Sequence, residues 1–289
     1  MRINDNNRFK SFFGVVPRDR TGTLKNIVTC TTSRPMPTQE KIEEFKNVTF
    51  QECIDDQINK IKEHEMKDLL LLWSGGIDST TVFYALVEAN IEFSIGLSTT
   101  TIMEYPMLAK KIMNNSETNE FPTLKTFTMI NNCPDGFFDN KLVITGEIGD
   151  QLVGSIQMAK YTDAERKLSY KEVLDEDNYK LFDDIIKNLV HADDLTLGEF
   201  LWGMNFIFKY EGVLDRMKTK PFFGASESFN FFDSELFQIW SINNYKTNTN
   251  FERQIDYKKV YKQYIYDING DELYYKYKKK VISLPMIYR

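Results

Sequence analysis

Between residues 49 and 155 the chain alternates short apolar runs with segments of helical periodicity. Asp68-Leu-Leu-Leu-Leu-Trp73 carries a continuous apolar run, the pattern of a strand buried on both faces of a sheet. Residues 79–89 then read as a helix, 91–97 as a strand, 105–113 as a helix, and 124–130 and 141–145 as the third and fourth strands. Strands separated in this way imply a parallel sheet joined by right-handed crossovers. One helix precedes them. Thr49 and Glu52 have capping-box spacing, Val48 and Cys53 suit a hydrophobic staple, and Phe50, Cys53, Ile54, Ile58 and Ile61 recur on one helical face.

The flanks read differently. Residues 1–48 hold two strand-like pieces, 12–16 and 23–29, and the loop 33–38, and form an N-terminal appendage. Beyond residue 155 the pattern is mostly helical, over 163–174, 179–190, 197–209, 234–242 and 257–268. The expected division is therefore an appendage (1–48), an α/β core (49–155) and a helical part (156–289) closing over the carboxyl edge of the sheet.

Composition narrows the class. The 289 residues, 42% hydrophobic and 27% charged with 14 Gly and 8 Pro, supply a full core and exclude disordered or collagen-like structure. The longest apolar run before residue 74 is far short of the roughly 18 residues of a membrane span. The polar start Met1-Arg-Ile-Asn-Asp-Asn-Asn-Arg8 has no signal-peptide pattern, so a cytoplasmic location is expected. Cys30, Cys53 and Cys133 share no metal-ligand spacing and accompany only two histidines, which leaves neither a disulfide framework nor a zinc site to expect. A net charge of -6 argues against a nucleic-acid coat protein. The C-terminal stretch from residue 251 departs from that balance, with nine Lys/Arg against five acids and eight tyrosines. It suits an anionic contact, although the tyrosine spacing also fits one packed helix face.

The chemistry gathers at Ser74-Gly75-Gly76-Ile77-Asp78-Ser79. A buried strand, two glycines, flanking hydroxyls and an immediate helix start make an anion cradle. The glycines let backbone N–H groups approach an oxyanion, the helix N-terminus adds partial positive charge, and the serines can donate. Phosphate is the natural guest. Asp78 would repel a polyphosphate unless a divalent cation lay between them, so the loop implies Mg²⁺ with few protein ligands. The lysine and spacing of a Walker A loop are missing.

Ser-Gly-Gly-x-Asp-Ser after an apolar strand resembles the pyrophosphate loop of the ATP pyrophosphatases, which cleave ATP between the α- and β-phosphates. Further stretches resemble the synthetase domain of the asparagine synthetases. Phe93-Ser-Ile-Gly-Leu97 is similar to the strand whose backbone lines the adenine site in that family. Ile144-Thr-Gly-Glu-Ile-Gly-Asp-Gln-Leu-Val-Gly-Ser155 resembles its Gly-Glu-Gly-x-Asp-Glu-x-x-Gly-Gly segment, and Phe231-Phe-Asp233 its Phe-Leu-Asp. The resemblance implies an adenine nucleotide alpha hydrolase-like fold, a parallel sheet with helices on both faces followed by a mostly helical half. It implies ATP held about Trp73, Ser74, Gly75, Gly76, Asp78, Ser79, Leu97 and Gly146, Mg²⁺ on Asp78 and Asp150, and Glu147 near the reacting carboxylate. A phosphate-contacting lysine falls on Lys278, with Lys276 and Lys279 as rivals, about 20 residues after a stretch read as Lys258-Lys-Val-Tyr-Lys262.

Departures from the pattern are specific. Ile148 replaces the middle glycine, Gln151 the acid after the metal-binding aspartate, and Ser155 the last glycine. Arg2 stands where those enzymes expose a nucleophilic cysteine, and roughly 50 residues are too few for a glutaminase domain. The nitrogen would come from free ammonia, another amine or a separate glutaminase partner. The reading is thus an ATP-dependent amide-forming ligase acting on aspartate or a related small-molecule carboxylate. Two alternatives stand beside it: a relative that modifies a nucleobase or tRNA, and a nucleotide-binding subunit without turnover. The appendage suits a homodimer surface, a lid or a docking site.

Overall fold

The computed structural model describes residues 36–65, 68–130, 133–154, 158, 161–174, 176–209, 227–252 and 256–270. The strand-like pieces at 12–16 and 23–29, Ser155 and the lysines Lys276, Lys278 and Lys279 lie outside them. The described residues form two compact units that interleave along the chain. A sheet unit takes 54–147, 227–231 and 260–270, and a helical unit takes 36–53, 148–209 and 232–259.

The sheet unit holds five parallel strands, β1 (Leu69–Leu72), β2 (Phe93–Leu97), β3 (Leu124–Met129), β4 (Leu142–Thr145) and β5 (Glu227–Asn230). Their spatial order is β3-β2-β1-β4-β5. The α/β fold with a parallel sheet flanked by helices is the one the strand-helix alternation predicts. The central strands are the apolar ones, as a doubly covered sheet requires: Leu69, Leu70, Leu71, Leu142, Val143 and Ile144 are all buried. Edge strands β3 and β5 carry the exposed positions. Gly96, Leu72, Thr145 and Asn230 stand abreast, so four strands present their carboxyl ends at one level. From β1 the chain moves outward to β2 and β3, then returns to the far side of β1 for β4. The reversal of order between β1 and β4 is a topological switch point, where open α/β sheets leave a crevice.

Side-chain alternation assigns the two faces. Leu71 and Ile95 share one face, where the Ile77–Glu88 helix packs: the Phe83 ring lies 5.6 Å from Phe93 and 4.8 Å from Phe121, edge-on. Leu70 and Val143 point to the other and form a cluster with Phe138. The Lys259–Asn269 helix also ties to the Ile77–Glu88 helix, Tyr264 donating to Glu88 and Asn269 to the Tyr84 hydroxyl, both at 2.8 Å. Burial and the Glu88 carboxylate push the Tyr264 hydroxyl well above the usual tyrosine range.

In the helical unit the Leu197–Met204 helix is the buried axis, opened by a capping box in which Thr196 and Glu199 satisfy each other's backbone N–H groups. Tyr170 stacks on Phe200 at 4.4 Å, and the Trp202 indole N–H reaches Leu152 O and Ser241 Oγ, each at 3.2 Å. The Thr49 capping box also forms as its spacing predicts, opening the Phe50–Glu63 helix. Two expected helices are interrupted. The 163–174 segment breaks at Leu168, whose backbone is extended, and Ser169 bridges to Thr196. The 197–209 segment ends in a π-helical turn, Asn205–Lys209. Among the described residues no helix is long and apolar enough to cross a membrane.

Candidate nucleotide site

The loop after β1 sits at the switch point. Gly75 has φ +75°, backbone that a Cβ strains, and a Cβ there would stand 2.4 Å from Tyr105 Cδ2. Glycine is thus required twice over, by conformation and by the ring packed on it. Gly76 is the N-cap of the Ile77–Glu88 helix and offers no side-chain oxygen to the first N–H groups. Thr38, Thr49, Ser98, Thr162, Thr196 and Ser234 each accept a backbone N–H at the start of their helices, whereas the helices after Tyr105, Asn114, Ile148, Ser169 and Asn244 share the lack of a side-chain cap. A helix that begins on glycine presents its amino-terminal donors and its dipole to a ligand instead.

The serines close the loop from inside. The Ser79 hydroxyl donates to Gly76 O at 3.0 Å and accepts Ser74 N–H at 3.1 Å; the two hydroxyls lie 3.0 Å apart. With its proton on Gly76, Ser79 must accept from Ser74. Ser79 is buried and Ser74 exposed, so Ser74 is the hydroxyl that can turn toward a ligand. Asp78 lies half-buried in the first helical turn. Trp73 contributes differently from its neighbours: its ring is buried, its indole donates to Thr80 at 2.9 Å, and its backbone N–H continues the β1–β2 ladder to Gly96 O at 3.1 Å. Leu97 ends β2 with its side chain buried.

β4 meets this loop directly. A Cβ on Gly146 would lie 2.8 Å from Ser79 N, 2.9 Å from Ser79 Cα and 3.0 Å from the Asp78 carbonyl carbon, so the residue before Glu147 rests on the backbone of the loop helix. Glu147 follows, exposed at the mouth of the switch point. The sheet unit thus brings together Ser74, Gly75, Gly76, Asp78, Ser79, Gly146 and Glu147. Asp150 belongs to the helical unit, in the Gly149–Val153 helix. There its Oδ1 accepts the Tyr257 hydroxyl at 3.0 Å and pairs with Lys258 Nζ at 2.6 Å. The aspartate of Phe231-Phe232-Asp233 is exposed just ahead of the Ser234 cap, while Phe231 N–H extends the β5 ladder to Thr145 O at 3.0 Å.

Four supporting residues escape a reading of the sequence. Ser98 caps the Thr99–Glu104 helix, and Thr101 reaches back to Trp73 O at 3.4 Å. Tyr105 covers Gly75. Thr145, 2% exposed at the end of β4, has a buried hydroxyl oxygen with no hydrogen-bond partner among the described residues. It is one of six such buried side-chain atoms among the described residues, and an ordered water is the usual partner of a group of this kind. Ile148 is the most telling of the sequence departures: its φ is +74°, the left-handed backbone that glycine adopts freely and a β-branched residue almost never does. Glycine would adopt that backbone without strain, and this chain holds it with a β-branched residue.

A divalent ion fits the donor set at the loop. No group of three or more His, Cys, Asp and Glu side chains at metal-holding distance occurs among the described residues. An ion at Asp78 would draw its remaining oxygens from water and phosphate, which is the habit of Mg²⁺. Burial pushes the Cys133 thiol up, away from nucleophilic use. Comparison with protein-family models, with curated proteins and with solved structures finds no match to this chain.

Proposed function

We propose that this chain is an ATP-dependent amide-forming ligase of the asparagine synthetase kind, which adenylates a small-molecule carboxylate and passes the acyl group to ammonia or an amine. The observation that carries the reading is the glycine loop at the switch point. It pairs an uncapped helix N-terminus with Asp78, and Gly146 packs against its backbone. The left-handed Ile148 adds support, since it stands in the segment that resembles Gly-Glu-Gly-x-Asp at the position of the middle glycine.

The chemistry follows from charge. A carboxylate oxygen attacks the α-phosphorus of ATP, the bond to the β-phosphate breaks, and pyrophosphate leaves. Both reactants are anions, so the backbone donors of the loop and a cation must stabilise the charge that develops. Mg²⁺, when held by Asp78, would neutralise the polyphosphate. Lys278 remains the proposed lysine for the leaving group. In the second half an amine nitrogen attacks the acyl carbon, AMP departs with the carboxylate oxygen, and Glu147 accepts or directs the amine proton. An exposed carboxylate keeps water and amines within reach without a desolvation penalty.

Incubating the full chain with ATP, Mg²⁺ and ammonium, and separating AMP from ADP while the acceptor is varied over aspartate, glutamate and total RNA, tests the reading. AMP and pyrophosphate in equal amounts, formed only with an amino acid, are expected. AMP formed only with RNA assigns the fold to nucleic-acid modification instead, and ADP with phosphate removes the loop from α,β-cleavage.

A further inference from the structure

The loop after β1 is braced by the segment that follows β2, within the same sheet unit. Tyr105 stands between two helices, Thr99–Glu104 and Pro106–Met113, and belongs to neither. Proline at the start of the second helix drives the residue before it out of helical backbone, and Tyr105 adopts φ -131° and ψ 57°. Both of its backbone groups are engaged: its N–H donates to Thr101 O and its carbonyl accepts Ala109 N–H, each at 2.9 Å. The ring therefore grows from a fixed root. It packs on Gly75, where a Cβ would stand 2.4 Å from Tyr105 Cδ2, 2.7 Å from Cγ and 3.0 Å from Cβ. These atoms lie at the base of the side chain, which cannot swing aside as a flexible tip would.

Glycine populates positive and negative φ with nearly equal ease, so the two glycines alone leave the backbone of the loop undecided. At φ +75° Gly75 needs a neighbour that selects this form. The ring fills the space of the side chain that glycine lacks, and a turn to negative φ would carry the loop backbone away from that contact. We infer that Tyr105 is a positioning residue: it holds the phosphate loop in its left-handed form before a ligand arrives, and it acts through Gly75 without touching the reacting atoms. Where a binding-competent form is only partly populated, apparent affinity falls by that fraction, so loss of the ring weakens binding and spares the complex once formed. The inference rests on the ligase reading for the nature of the ligand, a pyrophosphate group.

The test measures binding of Mg²⁺·pyrophosphate, and of Mg²⁺ with the non-cleavable α,β-methylene analogue of ATP, to the full chain by calorimetry. Tyr105→Ala is expected to weaken both about tenfold, the effect of a competent form populated at about one tenth. Tyr105→Phe, which keeps the ring, should restore the wild-type affinity. Gly75→Ala should lose about 100-fold or more through displacement of the loop. Adding Tyr105→Ala to it should recover about tenfold, because only the Cβ contact of 3.0 Å then remains. In turnover the Tyr105→Ala loss should fall on KM for ATP and leave kcat unchanged. Relaxation dispersion on ligand-free, ¹⁵N-glycine-labelled wild type should find Gly75 in one form. Exchange of Gly75 between forms in that sample overturns the inference. So does a folded Tyr105→Ala protein that binds like the wild type, or a double variant that binds no better than Gly75→Ala. A wild type that binds neither ligand overturns the ligase reading itself.

Discussion

Alanine in place of Asp78 is expected to lower AMP and pyrophosphate formation by about 10²–10³-fold or more, the scale of removing one preorganised electrostatic partner from an active site. The fold should persist. Asp78 is half-buried in the first turn of the Ile77–Glu88 helix, where a negative charge contributes only about 0.3–1 kcal/mol through the helix dipole. The metal dependence gives the sharper signature. Without Mg²⁺, Asp78 repels the triphosphate, so Asp78→Ala should bind metal-free ATP as well as the wild type or better. With Mg²⁺ the order reverses, because the ion has lost its carboxylate. Calorimetric titrations with and without Mg²⁺, alongside a pyrophosphate-release assay, separate the two effects. Release at the wild-type rate would remove Asp78 from the chemistry.

The second large effect belongs to Gly146, a position with no functional group at all. A methyl there meets three backbone atoms of Asp78 and Ser79 within 3.0 Å, and no flexible side chain can yield. The loop helix is pinned through Phe83 against Phe93 and Phe121, so the displacement falls on the loop. Misplacing reacting groups by about 1 Å can reduce rates about 10²-fold, and overpacking typically destabilises by about 1–3 kcal/mol. Gly146→Ala is therefore expected to weaken Mg²⁺·ATP binding and AMP formation about 100-fold, with a lower melting temperature. Gly76→Ala is the contrast: its φ is negative and its Cβ meets only the Ser74 hydroxyl at 3.2 Å, so a milder loss is expected. Equal, small effects of the two substitutions would contradict the packing of β4 on the loop.

The central strands were legible because burial on both faces leaves a continuous apolar run, as in the four leucines of β1. β5 was not. Glu227-Ser-Phe-Asn230 is short and polar because it lies at the sheet edge, and it falls in a stretch whose other segments are helical. The glycine loop declares its chemistry locally, whereas Tyr105 and Thr145 take their roles from packing that no local pattern encodes. Thr145 reads as the last residue of an ordinary strand; its buried oxygen, without a partner among the described residues, shows only in the structure. The pairing of Asp150 with Lys258 joins residues far apart in the chain, and in the sequence Lys258 is only one cation of a basic stretch. Ile148 shows another case: nothing in its local sequence announces the left-handed backbone that the fold imposes on it.

Oxygen transfer tests the central claim most directly. The acceptor that supports AMP formation is labelled with ¹⁸O in its reacting carboxylate, beginning with aspartate, and the AMP is weighed by mass spectrometry. Adenylation predicts one ¹⁸O in the phosphate of each AMP and one retained in the amide product, because the attacking carboxylate oxygen leaves with AMP. AMP free of the label, formed while the acceptor is consumed, would contradict carboxylate activation by this chain.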